Sequence, residues 1–218
     1  MGKGNHSAGV ILGDTLGNFA ELVAEGTPTP GGGSVAAYSG LLATALGRMM
    51  CNLTIGKKKY GEKQVRIKEI NSELEMLGDR LRELIDEDAA AFDEVLAAYR
   101  LPRDTEEEQK KRNREVVAAT LKSIRAPSEV SERALEVLRL LVELAGVGNT
   151  NVFPDLTTGA QLAAVAMKGS YYNITVNLKI LADDEEVRDV RDRTVKIIAD
   201  AADLASAIET EMLKYMTD

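Results

Sequence analysis

Apolar residues in this chain recur at intervals of three and four, and no alternating stretch of strand length appears. Asp14 or Thr15 can cap a short helix running through Glu25. Gly33 or Ser34 opens a second helix that reaches about Ile55. Its Ala, Leu and Met residues fall all round the circumference, which predicts a central, buried helix. The stretch Gly56-Lys57-Lys58-Lys59-Tyr60-Gly61 breaks it. A very long helix follows from about Glu62 to Tyr99, with an apolar stripe of Ile70, Leu74, Leu77, Leu81, Leu84, Phe92, Val95 and Tyr99 in near-heptad rhythm. Leu101-Pro102 ends it. Thr105 with Glu108 forms the pattern of a capping box for a helix to Arg125. Pro127 sits near the first position of the next helix, which stops at Gly146 to Gly148. Pro154-Asp155 opens a helical region through about Leu181, and Asp183 or Asp184 starts a last helix reaching Met216. Short connections make consecutive helices antiparallel. The fold expected is all-α: a single-domain bundle of about seven mostly antiparallel helices, one long and one fully buried. Residues 1–13 are expected to be a flexible tail and residues 14–218 the helical domain.

Composition narrows the chemistry. A net charge of −8 opposes a nucleic-acid surface, which needs basic patches. With no Trp and few other aromatic residues, stacking platforms for single strands are also disfavoured. Cys51 is the only cysteine, so no disulfide forms within the chain, and its apolar surroundings suggest a buried, inert thiol. His6 is the only histidine and lies in an aperiodic N-terminal segment. Histidine-based triads and His-rich zinc sites therefore have no foundation, and no metal is expected. Catalysis here must use carboxylates, lysine, hydroxyls, amides and backbone groups. No secretory leader and no transmembrane run is visible, so a soluble, cytoplasmic protein without membrane contact is expected.

Five stretches stand out. In Thr27-Pro28-Thr29-Pro30-Gly31-Gly32-Gly33-Ser34 two prolines stop any helix and three glycines free the backbone. Such a turn before a helix start either presents backbone N–H groups to a ligand or packs a helix end closely on a neighbour. Asp88 interrupts the apolar stripe of the long helix. A carboxylate facing inward must be paired or at work, unless the stripe drifts and leaves it at the rim. Gly148-Asn149-Thr150-Asn151 leads to Asp155, a helix-start carboxylate that either serves the helix dipole or a ligand. Lys57, Lys58 and Lys59 form a positive cluster on an acidic protein, a solvated loop or a clamp for an anionic tail. Asn173 and Asn177 share one helix face, where amides either satisfy nearby backbone or line a site.

Together these stretches resemble the formimidoyltetrahydrofolate cyclodeaminase and methenyltetrahydrofolate cyclohydrolase family. The resemblance rests on Pro28-Thr29-Pro30-Gly31-Gly32-Gly33-Ser34-Val35 and on Leu53-Thr54-Ile55-Gly56-Lys57-Lys58-Lys59-Tyr60. Asp88-Ala89-Ala90-Ala91-Phe92-Asp93, Leu101-Pro102-Arg103-Asp104, Gly148-Asn149-Thr150-Asn151 with Asp155, and Tyr171 to Leu178 follow in the family's order. One departure is Pro154, where the family's pattern has a small hydroxyl residue. The chain reads as the stand-alone form, without a preceding transferase domain.

The resemblance implies an all-helical folate enzyme working as a homodimer or larger homo-oligomer. It needs no cofactor beyond its tetrahydrofolate substrate. The reaction implied is cyclisation of 5-formimidoyltetrahydrofolate to the 5,10-methenyl compound with loss of ammonia, or hydrolysis of that bridge to 10-formyltetrahydrofolate. A non-catalytic folate-binding protein is the alternative of another class. On this resemblance Asp155 is expected to transfer protons and Asp88 to support it or grip the pterin edge. Gly31, Gly32, Gly33 and Ser34 hold the reacting group or the pterin. Lys57, Lys58 and Lys59 take the glutamate tail, and Asn149, Asn151 and Asn173 orient the pterin or a water.

Overall fold

The computed structural model describes residues 15–181 and 185–217. The expected tail with His6, and the expected start of the last helix at Asp183 or Asp184, lie outside the described residues. Among the described residues there are seven α-helices and no strand: α1 Leu16–Ala24, α2 Gly32–Asn52, α3 Gln64–Tyr99, α4 Glu106–Ser123, α5 Arg125–Val147, α6 Phe153–Leu178 and α7 Glu185–Thr217. Two short 3₁₀ turns, Lys58–Lys63 and Thr150–Val152, lead into α3 and α6.

Local chemistry sets most of these ends. Thr15 caps α1 through the Asn18 N–H, and Gly26 and Gly56, with φ of 76° and 80°, take the left-handed conformation just after α1 and α2. The capping box of α4 is complete. Thr105 Oγ1 accepts from the Glu108 N–H at 3.2 Å, and Glu108 Oε2 accepts from the Thr105 N–H at 3.0 Å. Helix α5 begins two residues before Pro127. Proline is tolerated there because first-turn N–H groups have no partner within the helix.

Helix α2 lies at the centre, antiparallel to both α3 and α6. Three glycines spaced seven apart make one side of it a channel for α3. A Cβ at Gly33 would meet Asp88, at Gly40 Leu81 and at Gly47 Leu74. The opposite edge meets α6 through small residues as well: Gly159 lies against Leu46 and Ala43, and Gly169 against Ala36. Leu141 of α5 reaches the same helix at Gly47. The core of Met50, Ile70, Leu74, Leu81, Leu138, Leu141, Leu144, Leu156 and Met167 is fully enclosed. Burial of this apolar surface is the main source of stability.

Helix α2 is covered on three sides rather than all round. Leu42 and Leu53 remain 37% and 44% exposed, Ala45 is exposed, and Tyr38 and Met49 are half-buried on the same face. Among the described residues α3, α5 and α6 supply most of its cover, and α1 touches it through Phe19 on Tyr38. No helix among the described residues is long and apolar enough to cross a membrane.

Candidate functional site

The first end of α2 is built from the Pro/Gly turn. Thr27 Oγ1 donates to the Thr29 carbonyl at 3.0 Å, and Thr29 Oγ1 lies 3.5 Å from Asp93 Oδ1 on α3. Gly31, the residue before α2, has no side chain to cap it. Asp88 supplies the cap from α3 instead. The Ser34 N–H donates to its carboxylate, and Ser34 Oγ lies 3.2 Å from Asp88 Oδ2 and 3.3 Å from the Ile85 carbonyl. The hydroxyl has one proton, so it serves one of these acceptors at a time. The carboxylate rests on the Gly33 Cα, which is why no Cβ fits there.

Burial pushes the Asp88 carboxyl above its ordinary value, and the two Ser34 hydrogen bonds only partly oppose this. Among the described residues no lysine or arginine compensates the charge. The result is a carboxyl group that keeps its proton to higher pH than a solvated aspartate, the property required of a general acid. Asn173 of α6 completes this corner. Its Nδ2 donates to the Gly169 carbonyl at 2.9 Å and would lie 3.6 Å from a Cβ on Gly32.

The other end of α2 carries the remaining candidates. Lys57, Lys58 and Lys59 are exposed, and Lys59 Nζ stands 5.5 Å from the Tyr60 ring centroid. Asn149 is only 6% exposed, and its polar atoms face the chain itself. Its N–H donates to Thr54 Oγ1 at 3.0 Å, and its Nδ2 lies 3.4 Å from the Leu53 carbonyl. Its Oδ1 accepts from the Asn151 N–H at 3.3 Å and lies 3.5 Å from the Tyr60 hydroxyl. Asn149 thus clasps the end of α2 to the start of α6. Asn151 is exposed. Asp155, half-buried in the first turn of α6 directly after Pro154, meets the positive end of the helix dipole.

The candidates therefore form two groups. Gly31 to Ser34, Asp88 and Asn173 meet at one end of α2. Lys57 to Lys59, Asn149, Asn151 and Asp155 gather at the other. Asp155 and Asn173 lie on the same helix, 18 residues apart, which at 1.5 Å per residue is roughly 27 Å. A single chain does not bring Asp88 and Asp155 together.

Tyr60, Thr54 and Asp93 are site-building residues that the sequence reading passed over. Tyr60 and Thr54 stood inside a quoted motif, but their partner Asn149 is some ninety positions away. A groove of about 520 Å³ between α3 and α5 lies apart from both ends of α2. Its Arg80 is already paired with Glu83, Glu87 and Glu129. Among the described residues no group of three His, Cys, Asp or Glu side chains is arranged to hold a metal.

Comparison with known proteins decides the family. The formiminotransferase-cyclodeaminase family model matches residues 15–196. The chain belongs to this family. Methenyltetrahydrofolate cyclohydrolase of Methylorubrum extorquens is 37% identical over 170 residues, covering 78% of this chain and 82% of that protein. Formimidoyltransferase-cyclodeaminase of Rattus norvegicus is 28% identical over 198 residues; these cover 91% of this chain but only 37% of the rat protein. The solved formiminotetrahydrofolate cyclodeaminase of Thermotoga maritima superposes with a TM-score of 0.83 at 26% identity, over 93% of this chain and 98% of that one. As a formiminotransferase-cyclodeaminase family member, the chain shares the all-helical fold. The second half of α7 extends beyond the region that the family model matches.

Proposed function

We propose that this protein acts on the one-carbon unit between two nitrogens of tetrahydrofolate, cyclising 5-formimidoyltetrahydrofolate to the 5,10-methenyl compound and releasing ammonia. Asp88 carries the reading: a buried carboxyl of raised pKa, held by Ser34 at a glycine corner. The aryl nitrogen attacks the formimidoyl carbon, and a tetrahedral carbon forms between the two nitrogens. Asp88 enters protonated and gives its proton to the imino nitrogen as the carbon is attacked. Its carboxylate then takes the proton from the attacking nitrogen and passes it to the amine so formed, which leaves as ammonia as the methenyl cation closes. This assigns proton transfer to Asp88 and leaves Asp155 to orient the pterin. Lys57 to Lys59 take the glutamate tail. No further cofactor enters, and the reaction belongs to the cytoplasm.

The second reading is hydrolysis of the methenyl bridge to 10-formyltetrahydrofolate. The 37% identical relative bearing the cyclohydrolase name favours it. Both reactions pass through the same kind of tetrahedral carbon, so the same groups serve either.

The two half-sites at opposite ends of α2 support a homodimer. Along α2, Leu42, Ala45 and Met49, with Leu53 just after its end, face away from the enclosed core. With α3, α5 and α6 packed on its other sides, α2 leaves these residues as one open, largely apolar face. A second copy laid antiparallel across this face brings the Asp88 corner of one chain to the Asp155 end of the other. A twofold interface does this twice over.

Near-ultraviolet absorbance of the methenyl bridge tests the function. Its appearance from 5-formimidoyltetrahydrofolate, with ammonia released, supports the first reading. Its loss faster than the spontaneous rate supports the second. Neither change, with tetrahydrofolate still bound, would leave a binding protein.

A further inference from the structure

We infer that α1 is an arm that docks on a second copy of this chain, seating in the trough on the open face of α2. This rests on the antiparallel pairing proposed above. Helix α1 has no fully buried residue, and Leu16 is 70% exposed. Phe19 stands against Tyr38 of α2, with ring centroids 5.4 Å apart. Phe19, Leu22 and Val23 are half-buried on that side. The opposite side, Gly17, Ala20, Glu21 and Ala24, is exposed, and Leu16 stands at its edge.

The trough is lined by Ala45, Arg48, Met49, Asn52 and Leu53. It is apolar along most of its length and carries one cation. Arg48 is the only charged residue between Thr27 and Ile55. Its Nη2 holds Glu75 at 2.6 Å, while its Nε is buried without an acceptor. The side chain is 36% exposed, so its guanidinium also attracts a carboxylate brought in over the trough. Glu21, on the outward side of α1, makes no ion pair among the described residues and supplies a matching charge.

Position along the interface agrees. Bringing the Ser34 end of one α2 to the Asp155 end of the other sets the twofold near the middle of α2. Tyr38, which carries α1, then comes level with the Ala45–Met49 turn of the second copy. Each α1 meets the other chain's trough, and each trough receives an α1. Because α1 runs straight into the Thr27–Ser34 turn, docking ties the Asp88 corner to the chain that supplies Asp155.

The test uses the full-length chain with Ala20→Cys and Met49→Cys combined. Within one chain these sites are separated by about 16 Å along α2 (the eleven residues from Tyr38 to Met49), too far for a disulfide, which needs Cα atoms within roughly 7 Å. Oxidation should yield a covalent dimer from the double variant and none from either single variant. Sedimentation run in parallel separates two failures. A dimer by sedimentation that gives no covalent dimer, by oxidation or with a short bismaleimide, overturns the arm and leaves the pairing standing. A monomer overturns both. Independently, Glu21→Arg should weaken the dimer about fivefold for each of its two charge pairs, about 25-fold in all, and adding Arg48→Glu should restore it. Equal weakening in both variants would also overturn the arm.

Discussion

Adding one methyl group at Gly33 is the most direct test of the Asp88 corner. A Cβ there would lie 2.6 Å from Asp88 Cγ and closer still to both carboxylate oxygens. Ordinary contact begins at 3.4 Å, so the carboxylate must retreat, its Cγ by about 0.8 Å and its oxygens, which lie closer, by more. It cannot do so and keep both its bond to the Ser34 N–H and its 3.2 Å approach to Ser34 Oγ. Overpacking of this kind costs about 1–3 kcal/mol. Better helix propensity returns up to about 1 kcal/mol, so the chain should still fold. Catalysis is more sensitive: displacing a reacting group by about 1 Å costs on the order of 10²-fold in rate. Gly33→Ala should therefore lower kcat about 10²-fold in the methenyl absorbance assay, with a urea midpoint only modestly reduced. Gly40→Ala is the control. Its Cβ would meet Leu81 at 3.1 Å on the same side of α2, a packing strain far from the carboxylate. It should lose stability and keep kcat. A Gly33→Ala variant with kcat within twofold of the parent, or a Gly40→Ala variant with the same rate loss, would refute the reasoning.

Asp88→Asn should lower kcat by about 10²–10⁴, the worth of a positioned proton-transfer group. It should also alter the pH dependence of stability. With the folded carboxyl raised, the stability it contributes is complete below the unfolded pKa and is lost as pH rises through the folded one. At pH 8 the Asn variant should thus be at least as stable to urea as the parent, and a clearly lower midpoint there would contradict the buried, uncompensated charge. Asn149→Ala should cost about 1–3 kcal/mol of stability, because it leaves the buried Tyr60 hydroxyl and the partly buried Leu53 carbonyl short of partners. If Asn149 instead grips the pterin, KM will rise while the melting temperature stays unchanged. Charge reversal of Lys57 and Lys58 should raise KM for polyglutamylated substrate more than for the monoglutamate, by at most about 1 kcal/mol for each added carboxylate. Equal effects on the two substrates would place the lysines away from the tail.

The helices and their ends were legible in the sequence because the signals are local. The capping box at Thr105 and the breaks at Gly56, Pro102 and Gly148 act within a few residues of the chain. So was the anomaly at Asp88, since a polar residue in an apolar stripe declares itself by spacing alone. Placement of the groups relative to one another was not legible. Asn149 reads as a candidate ligand residue until folding sets it against Thr54 and Tyr60, and no short-range signal links positions some ninety residues apart. The open face of α2 was hidden for a related reason: composition shows that a helix is apolar all round, but not how many neighbours one chain can lay against it. Asp88 and Asp155 look like partners in the sequence. Antiparallel packing of α2 against α6 sends them to opposite ends of a helix pair. The order of residues sets which helices form and which carry a buried carboxyl, whereas the direction in which those helices pack decides which groups can share a substrate.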